Sequence, residues 1–197
     1  KNLARLCSTS FRRDHYHYKP RIDRLDLVRA ASAGELAGIA CLTGCYFSTV
    51  CQAIVAEADE DAGVAAAKPT VRFFQSVFPM VFIEVQHHHT DHESWDDDRL
   101  VRALWRLAQE TGVPPIVTND CHYCDKRETS AHAMMKSVAY STDISEVSFP
   151  GDSYHFATES WVKNHYRDHM DVWDAAEASY SDLLASHSLA IPPLDSY

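Results

Sequence analysis

The stretch VFIEVQHHH at residues 81–89 joins a strand pattern to a run of histidines. Residues 81–86 are rich in β-branched and aromatic side chains, which is typical of a β-strand. Two more short apolar runs have strand character, LAGIACL at 36–42 and IVT at 116–118. The first has a length that suits a strand buried on both faces. The sequence therefore predicts three strands whose carboxyl ends each lead into polar residues.

Helical segments alternate with these strands. The clearest is predicted over 95–111, where Ser94 resembles a capping residue and Gly112 ends the helix. Its apolar stripe consists of Leu100, Ala103, Leu104, Leu107 and Ala108. Asp23 is predicted to cap a helix over 24–33, residues 46–67 are predicted to be helical with a loop near Gly63, and a further helix is predicted to start at 71, after Pro69. The remaining predicted helices cover 129–139, 159–166 and 173–189, and a last strand is expected over 153–158. This alternation predicts an α/β fold with parallel strands and outer helices.

Length and composition limit the class of protein. The chain has 197 residues, of which 46% are hydrophobic and 23% charged, and this balance predicts one globular domain over 1–190 with a linker over 191–197. No apolar run reaches the ~18 residues of a membrane span, so no membrane partner is expected. The missing initiator Met suggests a start inside a longer gene product. Asp and Glu outnumber Lys and Arg by 28 to 18, which argues against a general nucleic-acid coat.

Six cysteines are spaced unlike a disulfide framework. They are Cys7, Cys41, Cys45, Cys51, Cys121 and Cys124. We therefore expect a reducing compartment, the cytoplasm, and free thiols, some of which can bind metal. The single C-x-x-C at 121–124 is a weak signal, because such a motif without a second pair is more often no site at all.

Candidate metal ligands follow each of the three predicted strands. Cys45 follows the first, His87–His89 the second, and Asp120 with His122 the third. Carboxyl ends of parallel strands share one edge, where α/β proteins build their sites. Thiolate, imidazole and carboxylate are ligands of zinc, iron or manganese. Individually these residues have ordinary explanations, a polar loop or a small buried side chain, so their convergence carries the prediction.

The spacing of Asp120 and His122 and the acidic run at 96–98 can each be interpreted from local backbone geometry. Asp120 and His122 are two residues apart on an extended segment, so their side chains should point the same way. The run Asp96-Asp97-Asp98 falls in the first turn of the 95–111 helix, where acidic groups suit the helix dipole. We interpret this run as a helix cap rather than a metal site.

Several stretches resemble one known family in order. They are Lys1-Asn2-Leu3 through Leu6, YKPRID at 18–23, LTGC at 42–45, IEVQHH at 83–88, TNDCHY at 118–123, Ala131-His132, and IPP at 191–193. Together they resemble the PHP (polymerase and histidinol phosphatase) domain at the front of the alpha subunit of bacterial replicative DNA polymerase III. The resemblance covers nearly the whole chain.

This resemblance implies a distorted seven-stranded (β/α) barrel with a cluster of two or three divalent metal ions (zinc, manganese or iron) at the strand ends. It implies metal-dependent phosphoesterase activity, in some members 3′–5′ exonuclease activity, within a DNA-directed DNA polymerase. Matched position by position, the ligands are Cys45, His88, Asp120 and His122. Which of His87, His88 and His89 faces the site stays open. DNA and other replisome subunits are the implied partners.

The chain also departs from the family. The first motifs of the family, His-x-His, Thr-Asp-His and a following Glu, are absent, and Thr90-Asp91-His92 spells a similar string in the wrong place. About half of the ligands are therefore missing, and the chain is expected to be the C-terminal part of such a domain. Three hypotheses remain: a part of a replicative polymerase, an autonomous metal-dependent phosphoesterase, and a non-catalytic structural remnant.

Overall fold

The computed structural model describes residues 1–88, 91, 92, 95–149, 151 and 153–186. In chain order the elements are α1 (Asn2–Ser10), β1 (Tyr16–His17), β2 (Lys19–Pro20), α2 (Arg24–Ser32), β3 (Ala40–Leu42), α3 (Thr49–Val55), α4 (Glu60–Val77), β4 (Met80–Val85), β5 (Asp91–His92), β6 (Trp95–Asp96), α5 (Asp97–Thr111), β7 (Pro115–Val117), a 3-10 turn (Lys126–Glu128), α6 (Thr129–Tyr140), α7 (Ile144–Val147), α8 (Glu159–His165) and α9 (Met170–Ser186). The candidate ligand His89, the capping candidate Ser94 and the linker 191–197 lie outside the described residues. No helix in the described part of the chain has both the length and the apolar character to cross a bilayer.

The centre of the fold is a parallel sheet in the order β3-β4-β7. Ala40 pairs with Met80 at one side of β4, and Ile83 pairs with Pro115 at the other. The prediction of three parallel strands is confirmed, and with it an α/β fold. The first strand is shorter than predicted, because Gly38 has a φ of +74° and such left-handed backbone does not continue a strand. The seven-stranded barrel remains a prediction.

The main core lies between this sheet and α3, α4 and α5. Ile83 and Val85 of β4 are fully buried, as is the middle of α5 at Leu104 and Leu107. α3 packs on α4, and α4 packs on α5. The apolar stripe predicted for α5 is therefore confirmed, and Gly112 ends this helix at a φ of +67°. α9 covers β7 from another direction.

The predicted boundaries between residues 46 and 77 are wrong. The chain breaks at 56–59 rather than near Gly63, because the Asp59 side chain accepts the Ala62 N–H at 2.8 Å and caps α4. Gly63 lies inside α4, where an added Cβ would lie 2.7 Å from the carbonyl oxygen of Ile54. The glycine there permits the close approach of α3 to α4. Pro69 also lies inside α4, so no new helix starts at 71.

Two other local predictions are corrected. The cap of α5 is Asp96, which accepts the Arg99 N–H at 2.6 Å, and Trp95 belongs to β6, which pairs with β5. The strand expected over 153–158 is absent among the described residues of that segment, where a single bridge joins Tyr123 to His155. The helices predicted from 24, 129 and 159 begin at those residues. The last helix begins earlier than predicted, at Met170.

Candidate metal centre

A cavity of about 70 Å³ opens at the carboxyl edge of the sheet. Cys45 reaches it from the loop after β3, His88 from the segment after β4, and Asp120 from the loop after β7. The structure thus brings three of the four predicted ligands to one cavity. The fourth, His122, contacts Asp120, with 3.1 Å between its Nε2 and the Oδ2 of Asp120. The predicted same-side placement of Asp120 and His122 agrees with this distance.

Glu84 ties the three strand ends together beneath the cavity. Its carboxylate accepts the Gly44 N–H at 2.9 Å and the Thr118 hydroxyl at 2.5 Å. The Gln86 amide also donates to it, at 3.3 Å. Sequence reasoning missed this residue as part of the site. The signal was present, because a carboxylate in an otherwise apolar, central strand requires partners when it is folded inward.

His88 is held in one orientation by its neighbours. Its ring stacks on Tyr154 at a centroid distance of 4.3 Å, and its backbone N–H donates to Asp97 at 2.8 Å. The Ser153 hydroxyl donates to the His88 carbonyl at 3.4 Å, so its oxygen is free to accept the Nδ1–H of the same histidine at 2.9 Å. This arrangement favours the tautomer with the proton on Nδ1, in which Nε2 presents a lone pair.

The Nε2 atom of His88 is buried and, within the described part of the chain, has no hydrogen-bond partner. Burial lowers the pKa of His88 from its usual value, so the neutral form is favoured. A neutral imidazole with one nitrogen held by a hydrogen bond and the other left unpaired is the form that binds metals. Cys45, His88 and Asp120 thus bring a thiol, an imidazole and a carboxylate to one cavity, but among the described residues they are not a group whose ligand atoms all lie within 4.8 Å of one another.

The loop that carries Asp120 and His122 is fastened to a second segment. The Asn119 amide donates to the carbonyls of Ser153 and His155, at 3.2 and 2.9 Å. The His122 N–H donates to the Tyr154 carbonyl at 2.7 Å. Asp120 and His122 are both about one-third exposed, at 38% and 36% of their side chains. Solvent can therefore reach both of these side chains.

The cysteines other than Cys45 are weaker candidates for metal ligands. All six fall within the described residues and are free thiols. Burial raises the pKa of both Cys41 and Cys51 to about 11, which makes them poor ligands and nucleophiles. Cys121 and Cys124 are exposed, and the Cys121 Sγ lies 3.5 Å from the His155 carbonyl oxygen.

A cluster separate from the cavity consists of His87, Asp98 and His169. The Oδ1 atom of Asp98 is 3.0 Å from the Nε2 of His87 and 2.8 Å from the Nε2 of His169. These two hydrogen bonds lower the pKa of Asp98 to about 2. Among the described residues, this is the group in which three potential metal-ligand atoms all lie within 4.8 Å of one another.

This cluster corrects the interpretation of the acidic run at 96–98 as a cap alone. Only Asp96 caps α5, whereas Asp97 and Asp98 each bind one of the histidines that follow β4. His169 escaped sequence reasoning. It is 71 residues from Asp98, so no pattern along the chain links the two.

The fold and the site define an α/β domain with candidate metal ligands at the carboxyl edge of a parallel sheet. The chain matches none of the protein-family profiles with which it was compared. Its homologues are the alpha subunits of DNA polymerase III from many bacteria. That of Borreliella burgdorferi is 32% identical over 132 residues, which are 66% of this chain and 10% of that protein.

Two further relatives extend the similarity. The Deinococcus radiodurans subunit is 30% identical over 159 residues, 79% of this chain and 11% of that protein. The Aquifex aeolicus subunit is 24% identical over 184 residues, 89% of this chain and 14% of that protein. The chain thus spans about a tenth of the length of the curated relatives it matches.

Proposed function

We propose that this chain is part of a DNA polymerase III alpha-type protein that acts in DNA replication in the cytoplasm. Its similarity to the alpha subunits, which extends over 89% of the chain in one case, supports this assignment. DNA and other replisome subunits are the proposed partners. The chain itself acts as the C-terminal part of a PHP domain with a metal-dependent phosphoesterase or 3′–5′ exonuclease-like site.

The single observation that carries the site is the buried Nε2 of His88, which has no hydrogen-bond partner among the described residues and lies in a cavity shared with Cys45 and Asp120. A buried nitrogen without a partner is costly unless something binds it. Cys45, His88 and Asp120, with His122 beside Asp120, would hold a zinc, manganese or iron ion. Such an ion lowers the pKa of water to about 7 and supplies a nucleophile for attack on phosphorus.

The remaining residues keep these ligands in place. Glu84 holds the backbone of Gly44 next to Cys45 and the side chain of Thr118 next to the Asp120 loop. Ser153 fixes the tautomer of His88, and Tyr154 fixes the plane of its ring. Asp120 and His122, which are partly exposed, are placed to meet the phosphate side of a substrate.

An autonomous phosphoesterase is the second candidate. The net charge of −10 favours it over a chain that binds long DNA by itself, because an acidic surface repels a polyanion. A small phosphomonoester would meet less of that surface.

Metal content distinguishes these proposals from a structural remnant. The purified, tag-free chain is analysed for zinc, manganese and iron, next to Asp120→Asn and a control, Asp174→Asn, which changes an exposed carboxylate on α9. We expect equal metal content in the parent chain and the control, and about one equivalent less in Asp120→Asn, because the affinity of the cavity should fall at least about 100-fold.

Phosphoesterase turnover on a small phosphomonoester and on single-stranded DNA then separates the two catalytic candidates. Metal content that does not change in Asp120→Asn would overturn the proposed site. Absence of metal from the parent chain would leave only a structural role in the polymerase.

A further inference from the structure

We propose that His87, Asp98 and His169 form a separate site for one divalent metal ion of the zinc class, which fastens the end of β4 to the starts of α5 and α9. This site shares no residue with the cavity that holds Cys45, His88 and Asp120. It does not depend on the phosphoesterase proposal.

The three ligand atoms already have nearly the spacing of a metal site. Zinc binds imidazole nitrogen at about 2.0–2.1 Å and carboxylate oxygen at about 2.0–2.2 Å, so ligand atoms around a tetrahedral ion lie roughly 3.3 Å apart. The two nitrogen–oxygen distances here are 3.0 and 2.8 Å. An outward shift of a few tenths of an ångström at each side chain would admit the ion.

The donor chemistry also fits. Two imidazoles and one carboxylate form a set that zinc accepts and that leaves a coordination position open. Asp98 is a carboxylate near neutral pH, as an ordinary aspartate is, and its Oδ1 already faces both imidazoles. To bind the ion, each imidazole must present a lone pair at Nε2, so its Nε2 proton would move to Nδ1 or be released to solvent.

Burial gives the site a closed side and an open side. The side chains of His87 and His169 are 1% and 10% exposed, whereas that of Asp98 is 55% exposed. The Tyr166 ring packs edge-on against His87 at 5.8 Å, between centroids. An ion can therefore enter past Asp98 and sit against a wall that excludes water from the two imidazoles.

The backbone explains why this site is separate from the cavity. His87 and His88 follow a strand, and adjacent side chains there point to opposite sides. The contacts agree: His88 packs on Tyr154 at the cavity, and His87 packs on Tyr166 and His169. The same alternation sends neighbouring histidines to two different places.

A metal-free cluster is the competing explanation. A carboxylate that accepts hydrogen bonds from two neutral histidines has the same three residues and needs no ion. The two explanations differ in whether the zinc affinity of the chain depends on Asp98, and this dependence can be measured directly.

The experiment titrates Zn²⁺ and Co²⁺ into the full chain that carries Asp120→Asn, so that metal binding at the cavity contributes little to the measured binding. We expect one equivalent of tightly bound metal by native mass spectrometry. The Co²⁺ form should have visible absorption without thiolate-to-cobalt charge transfer, because the proposed site holds no cysteine. A thiolate band would assign the ion to a site that contains a cysteine and overturn the present inference without affecting the cavity proposal.

Two matched variants complete the test. Asp98→Asn is nearly isosteric and changes a half-exposed side chain, so the fold should persist; we expect its affinity to fall at least about 100-fold. Asp168→Asn changes an exposed carboxylate next to His169 and should keep the parent affinity. Equal zinc affinity in Asp98→Asn and Asp168→Asn would overturn the inference, as would the absence of bound metal at micromolar Zn²⁺.

Discussion

Two adjacent histidines, His87 and His88, bind two adjacent aspartates, Asp98 and Asp97, but the two pairs lie in different regions of the molecule. His88 donates its backbone N–H to Asp97, which is 7% exposed. His87 binds Asp98 through its side chain, and that carboxylate is 55% exposed. Neighbouring residues after one strand thus enter two separate regions, the sheet-edge cavity and the cluster behind it. The alternation of side chains along extended backbone is the physical reason.

The two regions also differ in how fully their polar atoms are paired. In the cluster, both imidazoles already share the Asp98 oxygen. At the cavity, the Nε2 atom of His88 has no partner among the described residues. The cluster can therefore persist without an ion, whereas the cavity contains an unsatisfied group that a ligand would relieve. Four substitutions test this difference.

The largest effect is expected for Asp97→Ala on the cavity side. The change leaves the partly buried N–H of His88 without its acceptor, which costs about 1–3 kcal/mol in the free energy of unfolding. Urea denaturation followed by circular dichroism measures it. Asp97→Asn keeps a carbonyl oxygen at the same place and should recover part of the loss. Equal stability of Asp97→Ala and the parent chain would show that this carboxylate does not support the cavity.

Ser153→Ala should change metal binding at the cavity and leave the cluster of His87, Asp98 and His169 unchanged. The Nδ1–H of His88 loses its acceptor, so the tautomer and orientation of the ring are no longer fixed. We expect metal affinity at the cavity to fall about 10- to 100-fold, the usual effect of removing an outer-shell partner. Isothermal titration with Mn²⁺ or Zn²⁺ gives the value, and Ser160→Ala, at an exposed position in α8, serves as the control. An unchanged affinity would contradict the role given to Ser153.

Tyr166→Phe probes the wall between the regions. The fully buried hydroxyl donates to the Val85 carbonyl at 3.1 Å. The same carbonyl also accepts the Thr118 N–H, so its acceptor site stays partly satisfied. We expect a loss of about 0.5–1.5 kcal/mol in guanidinium unfolding. A loss above that range would mean that the hydroxyl holds the strand end in place by itself.

The smallest effect is expected for Asp98→Asn in the metal-free chain. The side chain is half exposed, and interactions of exposed charges contribute at most about 1 kcal/mol. Chelator-treated protein should therefore unfold within about 1 kcal/mol of the parent chain. With Zn²⁺ present the gap should widen if the cluster binds the ion. A large metal-free loss would instead make Asp98 a structural residue whose two hydrogen bonds hold α9.

Local patterns predicted several elements well. The stripe from Leu100 to Ala108 required one buried face, and only a helix presents those positions together. Asp23 caps α2 with a reciprocal bond to Asp26, as such a residue does at a helix start. The β-branched run at 81–86 formed the central strand. Each of these signals acts over one or two turns, so distant residues had little influence.

Other signals failed because a distant partner decided them. Gly63 looks like a break in the sequence, but the proximity of Ile54 makes glycine necessary inside α4. Residues 153–158 have strand character, yet β7 ends at Val117, and the segment instead joins the loop after β7 by single hydrogen bonds, such as that from Asn119 to His155, and by one bridge to Tyr123.

The sequence by itself determined the three parallel strands, the amphipathic α5 and the gathering of Cys45, His88 and Asp120 near one sheet edge. All of these follow from periodicity and from the rule that parallel strands share a carboxyl edge. Only the tertiary structure decided that Glu84 joins the strand ends, that His87 and His88 diverge, and that His169 meets Asp98. Those contacts join residues far apart in the chain, and their geometry depends on how the helices pack, which no local pattern encodes.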